Sequence, residues 1–330
     1  MTNPAQHPIP SGFSGATTAR DVIGDRRLDG WNIIVTGGYA GIGLETTRAL
    51  ANAGATVIVP ARSKDKARAN LGELLEPRTG RPAVELADMD LAEPSTIDAF
   101  AKAFLASGRP LHRLINNAGI MAAPLARDAR GFESQFATNH LGHFQLAVRL
   151  WPALLAAGKT PIGARIVSLS SRGHHRAGVS FEDINFERRE YDKWQAYGQA
   201  KTANVLFAVE ADRRGAPHGI RAFAVHPGAV LSDLGRHMKP EEYSAAIERA
   251  KTIGMMKSQE QGASTSVWCA TSAQLDGIGG VYCEDTDVST IIAPDDSASG
   301  SGVKPWAIDP ELAKRLWTES ERWTGVSANS

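Results

Sequence analysis

The stretch Thr36-Gly37-Gly38-Tyr39-Ala40-Gly41-Ile42-Gly43 restricts most tightly what this chain can fold into. Before it, residues 31–36 form a short apolar run that reads as a buried strand. After it, residues 44–53 read as a helix stopped by Gly54. Strand, glycine turn and helix in that order bring backbone N–H groups close to a pyrophosphate, and the helix N-terminus adds a favourable dipole. The spacing is G-x-x-x-G-x-G, not the commoner G-x-G-x-x-G. Gly37, Tyr39, Ala40, Gly41, Ile42 and Gly43 are thus candidate dinucleotide contacts, and a plain turn is the competing reading.

The alternation continues. Strands are expected at 55–60, near 83–87, and at 111–116, 164–169, 220–225 and 280–283. Helices are expected at 64–75, from Pro94 to about 107, at 131–156 with a break at Pro152, and through Tyr197. Such an order predicts an α/β fold, a doubly wound parallel sheet covered on both faces. We expect a single Rossmann-type catalytic domain over 28–330, behind an irregular arm at 1–27. It should include a substrate lid at about 231–260 carrying Leu234, Met238, Ile253, Met255 and Met256. A loop at 295–302 precedes a terminal helix near 309–323, docked through Leu312, Leu316 and Trp317.

Charge narrows the function. Lys+Arg and Asp+Glu both number 36, so no basic excess points to nucleic acid or an anionic membrane. The two cysteines, Cys269 and Cys283, form no C-x-x-C; this favours a reducing compartment over disulfides or a zinc site. The N-terminus lacks the apolar core of a signal peptide, and no run approaches the ~18 apolar residues of a membrane helix. A soluble, cytoplasmic protein is expected.

Further candidates sit where the strands end. After the second strand there is no carboxylate for ribose hydroxyls; Arg62 stands there instead, with Lys66 nearby, and a guanidinium matches a phosphate. That favours NADP(H) over NAD(H). Asp90, beside Leu91, can accept from an adenine amino group or simply start a helix. Asn117, Ala118 and Gly119 close the fourth strand. Tyr197 and Lys201, four residues apart, share one helical face, where a cation lowers a phenol's pKa. Ser168, Ser170 and Ser171 crowd the end of the fifth strand.

Together these motifs resemble the short-chain dehydrogenase/reductase family over residues 28–285. The pattern T-G-x-x-x-G-x-G, N-N-A-G, a helical Asn, a Ser, Y-x-x-x-K and P-G is met in order by Thr36 to Gly43, Asn116 to Gly119, Asn139, Ser171, Tyr197 with Lys201, and Pro227-Gly228. The resemblance implies that Tyr197 is the general acid or base, and that Lys201 tunes it and holds ribose hydroxyls. It implies that Ser171 bonds the substrate oxygen, with Ser170 as the alternative, and that Asn139 positions a relay water. Val230 and Ser232 would orient the nicotinamide. The Ser171–Tyr197 interval is longer than usual, and the extra stretch resembles the retinol dehydrogenase-like and protochlorophyllide reductase-like branch. His174-His175 within it reads as a pair of solvated loop histidines, not metal ligands. The expected function is reversible carbonyl–alcohol conversion on a small apolar substrate, by a monomer or homodimer. Double-bond reduction and non-catalytic dinucleotide sensing are the alternatives.

Overall fold

The computed structural model describes residues 3, 5–78, 81–82, 84–252 and 256–328. Eight strands make the main sheet: β1 (Asn32–Val35), β2 (Thr56–Ala61), β3 (Val84–Asp88), β4 (Arg113–Asn116), β5 (Ala164–Leu169), β6 (Ile220–His226), β7 (Val281–Glu284) and β8 (Asp287–Val288). Their order is β8-β7-β6-β5-β4-β1-β2-β3, parallel throughout except for the antiparallel pair β7–β8. This is the doubly wound Rossmann sheet expected from the alternation.

The strands are apolar on both faces because both are covered. Ile34, Ile58, Leu114 and Ile166 face one core with the helices Pro94–Ala106, Gly142–Arg149 and Lys193–Gly215. Their neighbours Val35, Val57, Ile115 and Val167 face the other, with the helices Gly41–Asn52 and Gln259–Thr271. The order reverses between β1 and β4, where such sheets open a crevice at the carboxyl ends of their strands.

Three local expectations change. The helix after β1 starts at Gly41, not near 44, so the last glycines of the turn form its first turn. The N-terminal arm is not irregular throughout. It holds the helix Ala19–Ile23, closed by a capping box between Thr18 and Asp21. It is also tied to the sheet, since Gln6 is buried and bonds the backbone of Tyr282 and Ser289. The stretch predicted at 131–156 runs from Ser134 to Gly158 in pieces, with a π-type turn at Ala137–Leu141. The terminal helix, Pro310–Thr324, buries Leu316 and Trp317; Trp317 stacks on Phe207 and meets Phe144 edge-on. Among the described residues no helix is long and apolar enough to cross a membrane.

Candidate active site

The glycine turn is shaped by close packing. Gly37 has φ +63°, a left-handed conformation that costs glycine nothing. A Cβ on Gly43 would collide with the Gly37 carbonyl and with Asn117 Nδ2. Ala40 caps the following helix and offers its first-turn amides no side-chain acceptor. Asn117 fixes the turn from β4, its Nδ2 donating to the Thr36 carbonyl at 2.8 Å. Thr36 Oγ1 accepts from the Asn117 and Ala118 amides at 2.9 and 3.0 Å.

His143 extends this bracing. Burial drops its pKa to about 4, so the ring is neutral. Nδ1 donates to the Asn139 carbonyl at 2.9 Å, leaving Nε2 to accept from Thr36 Oγ1 at 2.8 Å. One imidazole therefore locks the glycine turn to the π-type turn that carries Asn139. The Asn139 amide is engaged with Ile120: Oδ1 accepts from its N–H at 2.8 Å and Nδ2 donates to its carbonyl at 2.9 Å. A Cβ on Gly119 would lie 3.1 Å from Asn139 Oδ1 and 3.7 Å from Lys201 Nζ, so Gly119 keeps the space between them open.

Tyr197 and Lys201 project from one face of the helix Lys193–Gly215, whose N-cap Asp192 accepts from two amides. Both are buried, and Lys201 Nζ lies 5.6 Å from the Tyr197 ring centroid. Lys201 Nζ donates to the Leu169 carbonyl at 2.9 Å. The adjacent serines diverge. Ser170 Oγ donates to the Lys201 carbonyl at 2.8 Å. Ser171 caps a short turn, accepting from the Gly173 amide at 3.0 Å, and hydrogen-bonds Tyr197. Gly173 lies against the Tyr197 ring, where a Cβ would clash.

The sequence suggested that the lysine would lower the tyrosine's pKa. In the structure burial dominates and pushes the Tyr197 phenol up to about 12, with only the Ser171 bond opposing it. Burial also pulls the Lys201 ammonium down to about 8. At neutral pH Tyr197 thus holds its proton and Lys201 remains largely charged.

These groups line one cleft of roughly 1080 Å³ at the sheet's carboxyl edge. Gly37, Tyr39, Ala40, Gly41, Ile42 and Gly43 line it, as do Arg62, Asp90, Leu91, Asn117, Ala118 and Gly119. Ser170, Ser171, Tyr197 and Lys201 face it, as do Pro227, Gly228, Val230 and Ser232. Asn139 stands behind this wall. Lys66 is paired with Asp233 at 3.2 Å, and Asp90 uses one oxygen to accept from the Ala92 amide at 3.0 Å.

The roof belongs to 231–252. Tyr243, Ala246, Ile247 and Ala250 fall on one face of the helix Pro240–Thr252 and line the cleft. Glu242 clasps this helix to the helix Lys193–Gly215, accepting from Lys193 Nζ at 2.6 Å and Trp194 Nε1 at 2.9 Å. Met238 and Met256 also face the cleft, whereas Ile253 and Met255 lie outside the described residues.

Sequence reasoning missed Thr36 and His143 as braces, and Trp194, Glu242 and His226 as cleft residues. His226 directly precedes Pro227-Gly228, a position that could have flagged it. The two insert histidines are not solvated. His174 is fully buried against Tyr282, with Nδ1 on the Ser171 carbonyl at 2.7 Å. His175 is half-buried and bonds the Gly302 carbonyl at 2.8 Å. The turn that Ser171 caps tucks them beneath the site.

The short chain dehydrogenase family model matches residues 32–243. A short-chain dehydrogenase/reductase, prx1, of Penicillium roqueforti is 38% identical over 94% of this chain and 91% of its own. Human retinol dehydrogenase 12 is 36% identical over 95% of this chain and 91% of its own. Among solved structures, a putative uncharacterized protein from Mycobacterium paratuberculosis is 30% identical, with a TM-score of 0.69 over 94% of this chain and 98% of that one.

Proposed function

Because the chain belongs to the short-chain dehydrogenase family, on its retinol dehydrogenase-like branch, we propose that this oxidoreductase interconverts a carbonyl and an alcohol with NADP(H). The observation that carries the reading is the convergence of Ser171, Tyr197 and Lys201 on one cleft with an uncapped helix N-terminus. The residues present fit a dinucleotide. The first-turn amides at Gly41 to Gly43 suit a diphosphate, and Arg62 with Lys66 suits a ribose phosphate at the end of β2. When bound, the cofactor supplies or accepts the hydride.

The protein's part is protonic and electrostatic. Tyr197, protonated at neutral pH, gives its proton to the oxygen that becomes the hydroxyl. Ser171, already bonded to Tyr197, adds a second hydrogen bond to that oxygen as charge builds on it. Lys201 is held at the floor of the cleft by the Leu169 carbonyl, where it can grip ribose hydroxyls. Ser170, whose hydroxyl is turned to the Lys201 backbone, supports the helix instead. The substrate is a small molecule with an apolar body, covered by Tyr243, Ala246 and Ile247.

NADPH and NADH consumption with a panel of ketones and aldehydes tests the reading, with Tyr197→Phe as control. Turnover that survives the substitution, or no turnover with any carbonyl, rejects it. Product analysis with an enone separates carbonyl reduction from reduction of the double bond.

A further inference from the structure

Trp194 stands one turn before Tyr197 on the helix Lys193–Gly215, and both side chains line the cleft. Residues three apart on a helix are neighbours, and helical side chains lean toward the N-terminus. Tyr197 therefore leans toward the turn that carries the indole. Beside the cleft lies a second hollow of roughly 390 Å³, lined by Arg176, Asp192, Trp194 and Gln195. Of these, Arg176 and Trp194 also line the cleft, so their side chains stand between the two spaces.

The indole is held firmly in that place. Its Nε1 donates to Glu242, on the roof helix, at 2.9 Å. The Arg176 guanidinium lies 5.3 Å over the ring and Lys193 Nζ 5.7 Å over it. Cations at the π-face and a carboxylate at the N–H edge match the charge distribution of an indole. The Trp194 amide is tied as well, donating to the Asp192 cap at 2.9 Å. The methionines that face the cleft, Met238 and Met256, are the opposite kind of wall, because an unbranched thioether re-packs around what it meets. Trp194 is the part of the wall that does not yield.

We propose that Trp194 is a specificity-determining residue that limits the length of the substrate. With the carbonyl oxygen against Tyr197 and Ser171, one of the two carbon arms runs toward the indole and must end there. The proposal rests on the carbonyl–alcohol reading above and narrows it to substrates with one short arm. Removing the indole would join the side hollow to the cleft and admit a longer one.

The test uses symmetric dialkyl ketones, in which whichever arm turns toward Trp194 has the same length. kcat/KM with NADPH is measured for 3-pentanone and 5-nonanone in the wild type, Trp194→Leu and Trp194→Ala. The ratio of the long ketone to the short one should rise by about tenfold or more in Trp194→Ala, the scale set by a few methylenes in an apolar pocket, and by less in Trp194→Leu. General damage to the fold would lower both ketones together and leave the ratio alone. Leucine keeps a good helix former at the position if the alanine variant folds poorly. A second measurement needs no turnover: calorimetry of the NADP⁺-loaded enzyme with 3-pentanol and 5-nonanol, where 5-nonanol should gain affinity over 3-pentanol in both variants. One ratio in all three proteins, or a ratio that falls on substitution, overturns the length limit and leaves the reductase reading intact. A gain in 5-nonanol binding without turnover of any carbonyl upholds the length limit and overturns the reductase reading instead.

Discussion

Lys201 and Leu169 are joined by a 2.9 Å hydrogen bond from the lysine ammonium to the last carbonyl of β5. The same carbonyl accepts from Asn204 Nδ2 at 2.8 Å. One strand end therefore fixes the lysine's position and buries its charge. A buried ammonium is harder to keep protonated, which places its titration at about 8.

The pH dependence follows from that value. Above about 8 Lys201 is neutral and its hydrogen bonds to a ribose lose their charge assistance. NADPH affinity should weaken as pH rises through that value, and the profile should flatten in Lys201→Met. Stability runs the other way. The folded pKa is depressed from 10.5, so between about 8 and 10.5 the unfolded chain holds a proton that the native state has released. This group's contribution to stability therefore rises with pH across that window. Fluorescence titration of NADPH on either side of the transition decides the first point, and denaturant melts decide the second.

Tyr197→Phe removes one oxygen and keeps the ring, so NADPH binding should be nearly unchanged while kcat falls by roughly 10²–10⁴. Ser171→Ala should lower kcat with little effect on folding. Ser170→Ala should instead show in the melting curve, costing about 1 kcal/mol through its lost bond to the Lys201 carbonyl. Steady-state kinetics beside thermal melts separate the two serines, and a larger kcat loss in Ser170→Ala would reverse their roles.

Arg62→Ala should cut kcat/KM for NADPH by about tenfold or more and leave NADH use much less affected, since one charged phosphate contact is lost. A wild-type preference for NADH would contradict the cofactor assignment.

The fold was legible because each strand must be apolar on both faces and each turn breaks the pattern with glycine or proline. The cleft's rim was legible for the same reason: it is made where those strands end. The supporting shell was not. Thr36, His143 and Asn139 are far apart in sequence, and only the folded chain brings a hydroxyl, an imidazole and a carbonyl into line. The depth of Tyr197 was equally hidden, because spacing along a helix shows which groups are neighbours and not how dry they are. His174 was misjudged because polarity suggested water, whereas Ser171, Tyr282 and Lys304 supply its surroundings.

The helix Pro310–Thr324 should govern assembly. Trp317 lies 5.8 Å from Phe207 and 5.0 Å from Phe144, covering part of the helices Lys193–Gly215 and Gly142–Arg149, and we propose that this closes those helices to assembly into a tetramer. Light scattering should give a monomer or dimer, and a stable tetramer would contradict it. Trp317→Ala should cost about 3–5 kcal/mol, read from denaturant melts.

Gln6 imitates a strand at the far end of the sheet. Its amide takes the Tyr282 N–H at 2.8 Å and gives back to the Tyr282 and Ser289 carbonyls at 3.0 and 2.6 Å. Asp287 holds the adjoining backbone through the amides of Ile9 and Ser11. Bare strand backbone is a template for any passing chain. We therefore expect this arm to act as a stopper against self-association at that edge of the sheet. Trimming it, or crowding it with an expression tag, will first cost solubility, with the catalytic groups still in place.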